Sequence, residues 1–290
     1  MTVVGIVANS KKTFGGGLGA LRAALAQHGV ADPLWREVRG AKRVPAAVAE
    51  LVDAGVDLLF VWGGDGTVRR ALNALGSTPV TLAILPAGTA NLFASNLGIP
   101  RNVEEAVRVG LTGRRRAVDL GEVNGERFAV MAGVGFDAVL IRTADAGLKD
   151  RLGRLGYVVA GMGAVRREAV AARVTIDGTD WFAGPLTCVL VGNMGHLIGG
   201  LAAFPDAQPD DGLLNVGVVT ADSILDWTRT VGFAAVGRPA SSPFVQTTTG
   251  TSIDVELEDE LPFEVDGGAR RETAYLHVRV LPDAIEVCVP

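Results

Sequence analysis

Short apolar runs alternate with amphipathic segments through residues 1–117. The runs TVVGIVAN, VDLLFVW and TLAILP are bounded by turn residues, which is typical of buried strands. Apolar residues recur at helical spacing in LGALRAALAQHG, VPAAVAELVDAG and TVRRALNAL, and NLFASNLG is a fourth predicted helix. Strands separated by helices of this length predict parallel pairing through right-handed crossovers. The pattern therefore predicts an open, Rossmann-like α/β sheet whose ligand-binding loops follow the carboxyl ends of the strands.

The periodicity changes after residue 117, where apolar and polar residues alternate. Segments such as ARVTIDGTDWFAG, PLTCVLVGN and TSIDVELE are separated by NG, DG and GG turn signals. Two helical stretches interrupt them, GRLGYVVAGMGAVRREAV and ADSILDWTRTVGFAAVG. We predict two domains with a cleft between them. Residues 1–117 form the α/β nucleotide-binding domain, and residues 118–290 form a β-rich, sandwich-like substrate domain whose last strand could return to the first domain.

Composition and charge restrict the class of partner. The formal net charge of −5 and the pI near 5.3 provide no general attraction for nucleic acid or anionic lipid, so any membrane contact must be local. Cys188 and Cys288 lie in apolar runs and are predicted to be buried and reduced. No signal-peptide pattern and no membrane-spanning apolar run is present in the sequence, which predicts a cytoplasmic protein without a transmembrane segment.

A glycine-rich turn, VWGGDGTVRR, lies between a predicted buried strand and a predicted helix. In this order the N–H groups of the first helical turn point into one small volume that suits a phosphate. Gly63, Gly64 and Gly66 allow the backbone to approach a ligand, and Thr67 can cap the helix or donate its hydroxyl. The alternative is a tight structural turn in which Asp65 is a solvated cap.

Further motifs follow GGDGT along nearly the whole chain, namely 85-LPAGTANLFASNLGIP-100, 114-RRRAVDLGEVNGERFAVMAGVGFDA-138, 148-LKDRLGRLGYVVAG-161, 205-PDAQPDDGLLNVGVV-219 and 261-LPFEVDGG-268. Together with GGDGT, these segments and their order resemble the diacylglycerol kinase catalytic-domain family, which includes bacterial lipid kinases, sphingosine kinases and ceramide kinases. NAD kinases share only GGDGT. The resemblance implies an ATP-dependent kinase that phosphorylates a lipid hydroxyl, such as that of diacylglycerol or a sphingoid alcohol, at the membrane surface.

The resemblance also implies a set of ligand-binding residues. Phosphoryl transfer needs a cradle for the donor phosphates and a divalent cation to offset their charge. The implied cradle consists of Asn9, Gly63, Gly64, Asp65, Gly66, Thr67, Gly88 and Thr89. Within it, Asp65 would serve a Mg²⁺ ion, because a carboxylate among phosphate-binding amides is favourable once a cation lies between them. Lys11 and Lys12 would add a polar wall or lie in a solvated loop.

A second implied cation site lies in 205-PDAQPDDGLLNVGVV-219. The family holds a structural Mg²⁺ there through one Asp and two backbone carbonyls, which correspond to Asp211, Gln208 and Leu213. Carboxylate and carbonyl oxygens suit such an ion. A DDG hairpin turn without a metal is the alternative.

The chain departs from the family at the proposed catalytic base. The family carries DGE, whereas this chain has Asp266-Gly267-Gly268, and glycine cannot accept a proton. Glu264 and Asp266, which would share a strand face, are the candidate catalytic carboxylates beside Asp65, and Glu272 is a further one. A catalytically impaired nucleotide- or lipid-binding protein is therefore the alternative function. NAD phosphorylation is a third.

Other residues add smaller expectations. Leu92 replaces an Asp that many members carry, and Val38 and Arg39 stand where relatives often have a Thr near the nucleotide. The segment LIGGLAAFP, with Arg151 and Arg154, could face a membrane or form a buried strand and loop. The expected partner is a lipid at the membrane surface, with peripheral association and no nucleic acid, and a homodimer is left open. His28 and His277 are expected to have core or surface roles. His196 lies in a Gly-rich loop that the family places near the cleft, and no metal role is expected for it. The run Arg114–Arg116 is expected to be a solvated stretch that links the domains.

Overall fold

The computed structural model describes residues 2–30, 32–135, 169–197 and 200–290. The helices in this part of the chain are α1 (Gly17–Gln27), α2 (Val44–Asp53), α3 (Asp65–Leu75), α4 (Leu92–Asn96), α5 (Val103–Thr112) and α6 (Ile224–Ala235). The strands are β1 (Val4–Asn9), β2 (Leu34–Val38), β3 (Leu58–Gly63), β4 (Thr81–Pro86), β5 (Arg114–Val123), β6 (Glu126–Phe128), β7 (Met131–Val134), β8 (Val170–Ile176), β9 (Thr179–Leu186), β10 (Cys188–Gly192), β11 (Leu214–Val219), β12 (Val245–Gly250), β13 (Ser252–Val265) and β14 (Gly268–Val289). Among the described helices, none is both long and apolar enough to cross a bilayer.

The first compact unit comprises Met1–Asp119 and Pro282–Pro290. Its strands lie in the order β2-β1-β3-β4, all parallel, and Val287 near the end of β14 pairs with Leu82 of β4 in the same direction. Every residue of β3 and β4 is buried, as expected for parallel strands covered on both faces. The predicted α/β fold class is confirmed.

Two elements of this unit were absent from the sequence prediction. Strand β2 pairs only with β1 among the described strands and is half exposed, so LWREV lacks the continuous apolar run of its neighbours. Helix α5 begins after Asn102, whose side chain accepts a hydrogen bond from the backbone N–H of Glu105 at 3.0 Å.

The second compact unit comprises residues 120–281 and is built from antiparallel strands. The order β12-β11-β10-β7-β13 continues into β14, and β8 pairs with β13 and with β9. Strand β13 changes partner along its length: residues 253–257 pair with β8, and residues 263–265 pair with β7. The β-rich half is confirmed. Strand β12 was not predicted, because VQTTTG has little apolar content.

The carboxyl ends of β1, β3 and β4 meet along one edge of the parallel sheet. Ala8 pairs with Trp62, Trp62 pairs with Leu85, and Gly63 pairs with Pro86. The three loops that follow these strands, beginning at Ser10, Gly64 and Ala87, are therefore neighbours. Two motifs of the sequence analysis, GFDA at 135–138 beyond Gly135 and the segment 148–161, lie outside the described residues.

Candidate active site

The first glycine loop joins β3 directly to helix α3. Gly64 is the N-cap residue and has an extended backbone, and its carbonyl accepts hydrogen bonds from Thr67 N at 2.8 Å and Val68 N at 3.1 Å. Helix α3 then runs for 11 residues, so its positive dipole end lies at the loop. A helix start of this kind attracts anions.

Three glycines of the site are required by packing. A Cβ on Gly63 would lie 2.4 Å from Thr67 Cβ, and a Cβ on Gly88 would lie 2.5 Å from Gly64 Cα and 2.8 Å from Asn91 Oδ1. The two glycine loops therefore touch backbone to backbone at Gly64 and Gly88. Only residues without side chains permit this approach.

Gly66 is a different case. No atom lies within 4 Å of where its Cβ would be, its φ is outside the left-handed region, and the residue is exposed. Neither packing nor backbone conformation demands a glycine here. What the missing side chain provides is open space directly over the first turn of α3.

Asp65 links the two loops. Its carboxylate accepts a hydrogen bond from Asn91 N at 2.8 Å and another from Leu92 N at 2.5 Å, so it binds the N-terminus of α4. Burial raises the pKa of Asp65, and the backbone N–H groups of Leu92 and Asn91 oppose that rise. The sequence predicts only a cation or solvent as the partner of this carboxylate. Its role in joining the loops was missed, because the partners are backbone amides 26 and 27 residues away.

Asn91 is a second residue that the sequence analysis missed. It has φ 52°, in the left-handed region, and its side chain closes a turn by bonding both Gly88 N and Gly88 O at 2.8 Å. Arg101 also donates to the Gly88 carbonyl, at 2.9 Å. The readiness of Asn to adopt left-handed backbone was the available signal.

The remaining predicted cradle residues lie beside these loops. Asn9 is buried, donates from Nδ2 to Thr67 Oγ1 at 3.2 Å, and accepts from Lys11 N at 3.3 Å. Thr89 is exposed on the second glycine loop, and Lys11 is exposed on the loop that follows β1. The Lys12 carbonyl accepts a hydrogen bond from the Trp62 indole at 3.2 Å. The structure thus groups the predicted residues of the first unit at one edge of the sheet.

Asp266 lies in the second unit, in the turn between β13 and β14. Its φ of 45° places it beyond the end of β13, so the spacing of two from Glu264 does not put both carboxylates on one strand face. Its carboxylate accepts hydrogen bonds from the backbone N–H groups of Ala129, Val130 and Met131 at 2.9–3.1 Å. Asp266 therefore fixes the start of β7.

Glu264 is buried within the sheet of the second unit, with 3% of its surface exposed. It pairs with Gly133 of β7 and Ala269 of β14. Burial, together with the negative charge of Glu264, raises the pKa of Cys188 far above its usual range. Both cysteines are buried and free, as predicted. Glu272 is exposed, two residues after Arg270, whose guanidinium is paired with Glu126.

The predicted metal loop lies in the second unit as well. The Asp211 carboxylate is exposed and accepts a hydrogen bond from Leu213 N at 2.9 Å, which closes a turn around Gly212 with φ 73°. Gln208 is exposed. Within the described residues there is no group of three or more His, Cys, Asp or Glu that could hold a metal ion. Any ion at Asp211 would therefore need carbonyl oxygens or water as further ligands.

Comparison with known proteins covers both units. The sequence model described as diacylglycerol kinase catalytic domain matches residues 7–123, and that described as YegS C-terminal NAD kinase beta sandwich-like domain matches residues 130–289. A protein from Yersinia pseudotuberculosis serotype I (strain IP32953), named "Probable lipid kinase YegS-like", is 32% identical over 250 residues, which are 84% of this chain and 82% of the relative. The chain belongs to the diacylglycerol kinase family of lipid kinases.

Solved structures agree with this family membership. A diacylglycerol kinase from Bacillus anthracis str. Sterne superposes with a TM-score of 0.80 at 26% identity, covering 99% of this chain and 97% of that one. An NAD kinase from Archaeoglobus fulgidus in complex with ATP shares the fold, with a TM-score of 0.52 at 11% identity over 99% of this chain and 93% of that one.

The arginine run and the LIGGLAAFP segment of this diacylglycerol kinase family member can also be located in the structure. The run Arg114–Arg116 is the start of β5 and not a linker, although Arg114 and Arg115 are exposed as expected, and Arg114 Nε donates to the Pro290 carbonyl at 3.1 Å. Leu201, Ala202 and Phe204 of the LIGGLAAFP segment are buried, in agreement with the alternative of a buried strand and loop. Ile198, Gly199, Arg151 and Arg154 lie outside the described residues.

Proposed function

We propose that this lipid kinase transfers the γ-phosphate of ATP to the hydroxyl of a lipid such as diacylglycerol or a sphingoid alcohol. The observation that supports ATP binding is the pair of glycine loops, in contact at Gly64 and Gly88, beside the open start of helix α3. A phosphate in that space meets backbone N–H donors and the positive end of a helix. Asn9 donates a hydrogen bond to the Thr67 hydroxyl of helix α3, beside the first glycine loop, and Thr89 offers a hydroxyl from the second glycine loop.

The residues present also fit a Mg²⁺ ion. Hard oxygen donors are what this cation prefers, and Asp65 and Asp211 each carry carboxylate lone pairs beyond those that accept backbone N–H groups. Asp211 would hold a structural ion together with the carbonyls of Gln208 and Leu213, and Asp65 would act on the phosphate side, directly or through water. When bound, the ion neutralises charge on the transferring phosphate. The chain's own part is to hold the two glycine loops in contact and to present the start of α3 to the phosphate.

The open space at Gly66 gives a sharp test of the phosphate cradle. Gly66→Ala adds a methyl group where no protein atom lies within 4 Å, in a helix where Ala is favoured over Gly, so the melting temperature should stay equal or rise slightly. We expect the KM for ATP to rise by roughly tenfold or more, because the methyl group occupies the space that a phosphate needs. Steady-state kinetics and thermal denaturation measure both effects.

Gly19→Ala is the matched control for this substitution. Gly19 also lies in a helix with no atom near its Cβ position, but in α1. It should leave the KM for ATP unchanged. Equal KM values for the parent and both variants would contradict phosphate binding at the start of α3.

A catalytically impaired protein is the second candidate, and Gly268 is the observation that favours it. Of the other carboxylates considered, Asp266 accepts three backbone hydrogen bonds and Glu264 is buried in the sheet. Positioning and charge neutralisation supply most of the acceleration in phosphoryl transfer, so slow transfer without a glutamate at 268 is compatible with the proposal. The two candidates therefore differ in the rate expected of the parent protein.

Gly268→Glu separates the two candidates. Gly268 does not have a left-handed φ, so a side chain there meets no backbone penalty. We expect the parent to transfer ³²P from [γ-³²P]ATP to extracted lipids, and the variant to do so faster by roughly 10- to 1,000-fold if the added carboxylate acts as a base. No transfer by the parent, together with strong transfer by Gly268→Glu, would establish the impaired protein instead.

A further inference from the structure

Helix α6, residues Ile224–Ala235, exposes an apolar face. Ile224 is 65% exposed, Leu225 59% and Val236, directly after the helix, 70%, which makes them the three most exposed large hydrophobic residues of the described chain. Gly232 and Ala235 are exposed between them. With about 100° per residue, these five positions fall within an arc of roughly 120° on one side of the helix.

The opposite side of α6 fixes its orientation. Thr230 and Val231 are buried, and the Thr230 hydroxyl lies 3.0 Å from the Ser242 hydroxyl. Trp227 packs against the apolar cluster that contains Cys188 and Phe204. The helix is therefore anchored to the second unit, and its apolar arc faces solvent because the other side is already packed.

The polar groups on the exposed arc favour an interface with an anionic surface. Thr228 donates its hydroxyl back to the Ile224 carbonyl at 2.7 Å, which reduces its need for water. Arg229 lies at the edge of the arc with 57% of its side chain exposed, and Arg238 is exposed just beyond the helix. Asp226 is on the flank, 18% exposed, where it is bonded to Ser223 and lies 3.9 Å from the Arg229 guanidinium, and Asp222 is exposed at the far end before the cap.

We propose that the exposed face of α6, defined as Ile224, Leu225, Arg229, Gly232, Ala235 and Val236, docks on the surface of an anionic lipid bilayer. The inference rests on the proposed lipid kinase function, since long-chain diacyl lipids reside in bilayers. A helix of 12 residues, about 18 Å long, lies flat in the headgroup region with its apolar arc inserted. Arg229 and Arg238 extend toward lipid phosphates from the edge and end of the face.

The occupant is a bilayer rather than a second copy of the chain because of charge. A second copy would present the same two arginines, Arg229 and Arg238, to this face, with its Asp226 on the flank and its Asp222 at the far end. Anionic headgroups match the same two arginines. The face also provides the local attraction that a net charge of −5 does not provide globally.

Cosedimentation with large unilamellar vesicles tests the proposal. The full chain should bind vesicles of phosphatidylcholine and phosphatidylglycerol at 7:3 more strongly than pure phosphatidylcholine. Leu225→Ser/Val236→Ser should lower the partition coefficient on the mixed vesicles by about tenfold or more. Arg229→Gln/Arg238→Gln should lower it by roughly tenfold on the mixed vesicles and little on neutral ones.

Val3→Ser is the matched control, because Val3 is 39% exposed and lies in the first unit. It should bind vesicles like the parent, and all variants should keep the parent melting temperature. Vesicle binding that is equal for the parent and the α6 variants overturns the proposal. So does a dimer in light scattering that Leu225→Ser/Val236→Ser converts to a monomer, since the face would then cover a second copy.

A separate readout distinguishes this failure from failure of the kinase function. Phosphorylation of dioctanoylglycerol, a short-chain acceptor presented in detergent micelles, should be the same for the parent and the α6 variants. If the parent and the α6 variants phosphorylate the micellar acceptor equally and also bind vesicles equally, the proposed docking face is overturned and the kinase function is not. Loss of transfer to every acceptor by the parent contradicts the proposed function, while α6-dependent vesicle binding would still support the docking face.

Discussion

Asp65→Ala is expected to lower lipid phosphorylation by about a thousandfold. In the proposed mechanism this carboxylate serves the cation at the donor phosphates, and in the structure it also holds the second glycine loop through Asn91 N and Leu92 N. Removing it leaves both backbone donors without their acceptor, so the free energy of unfolding should fall by about 2–4 kcal/mol. Transfer of labelled phosphate and chemical denaturation measure the two effects.

Asp57→Ala is the control for the loss of a carboxylate that binds backbone. Asp57 accepts a hydrogen bond from Val3 N at 2.8 Å, but this bond is exposed and lies at the opposite end of β3. The control should change stability by less than about 1 kcal/mol and leave transfer intact. Asp65→Ala with parental stability and parental activity would show that the carboxylate neither joins the loops nor serves catalysis.

Gly88→Ala is expected to separate the two glycine loops. Its Cβ would lie 2.5 Å from Gly64 Cα and 2.8 Å from Asn91 Oδ1, and the first of these neighbours is backbone that cannot rotate away. Overpacking of this kind costs about 1–3 kcal/mol, and a displacement of about 1 Å at a reacting centre can cost a hundredfold in rate. We expect both losses, measured by denaturation and by kcat/KM for ATP.

The size of the effect should follow the geometry. At Gly64 the added Cβ would lie 3.0 Å from Gly88 Cα, a milder overlap than the reverse substitution. The predicted order of damage is Gly88→Ala, then Gly64→Ala, with Gly19→Ala harmless. An inverted order would contradict the close contact of the two loops.

The fold could be predicted in those elements whose hydrophobic pattern reflects which faces are buried. Strands β3 and β4 are continuous apolar runs because both faces are covered, and α1, α2 and α3 show helical spacing because one face is. Strand β2 was not predicted, because this exposed edge strand carries Trp35, Arg36 and Glu37, in which apolar and polar residues do not strictly alternate. Strand β12, with the sequence VQTTTG, was not predicted either, because it also lacks a regular apolar pattern.

The candidate site could be predicted only in its local parts. The GGDGT turn could be predicted because the strand, the glycines and the helix that form it are consecutive in the sequence. The hydrogen bonds of Asp65 and Asp266 could not be predicted, because their partners are backbone N–H groups at 91–92 and at 129–131, which have no side-chain signature. The spacing of two residues between Glu264 and Asp266 led to the wrong prediction that both carboxylates lie on one strand face. Asp266 is itself a left-handed turn residue, and it lies just beyond Val265, where β13 ends.

The most direct test of the central claim is the destination of labelled phosphate. Purified protein would be incubated with [γ-³²P]ATP, Mg²⁺, diacylglycerol in mixed micelles and NAD in the same tube, and the organic and aqueous products separated. The account predicts label in the organic phase, reduced about a thousandfold by Asp65→Ala. Label in NADP alone, or organic label equal in the parent and Asp65→Ala, would contradict it.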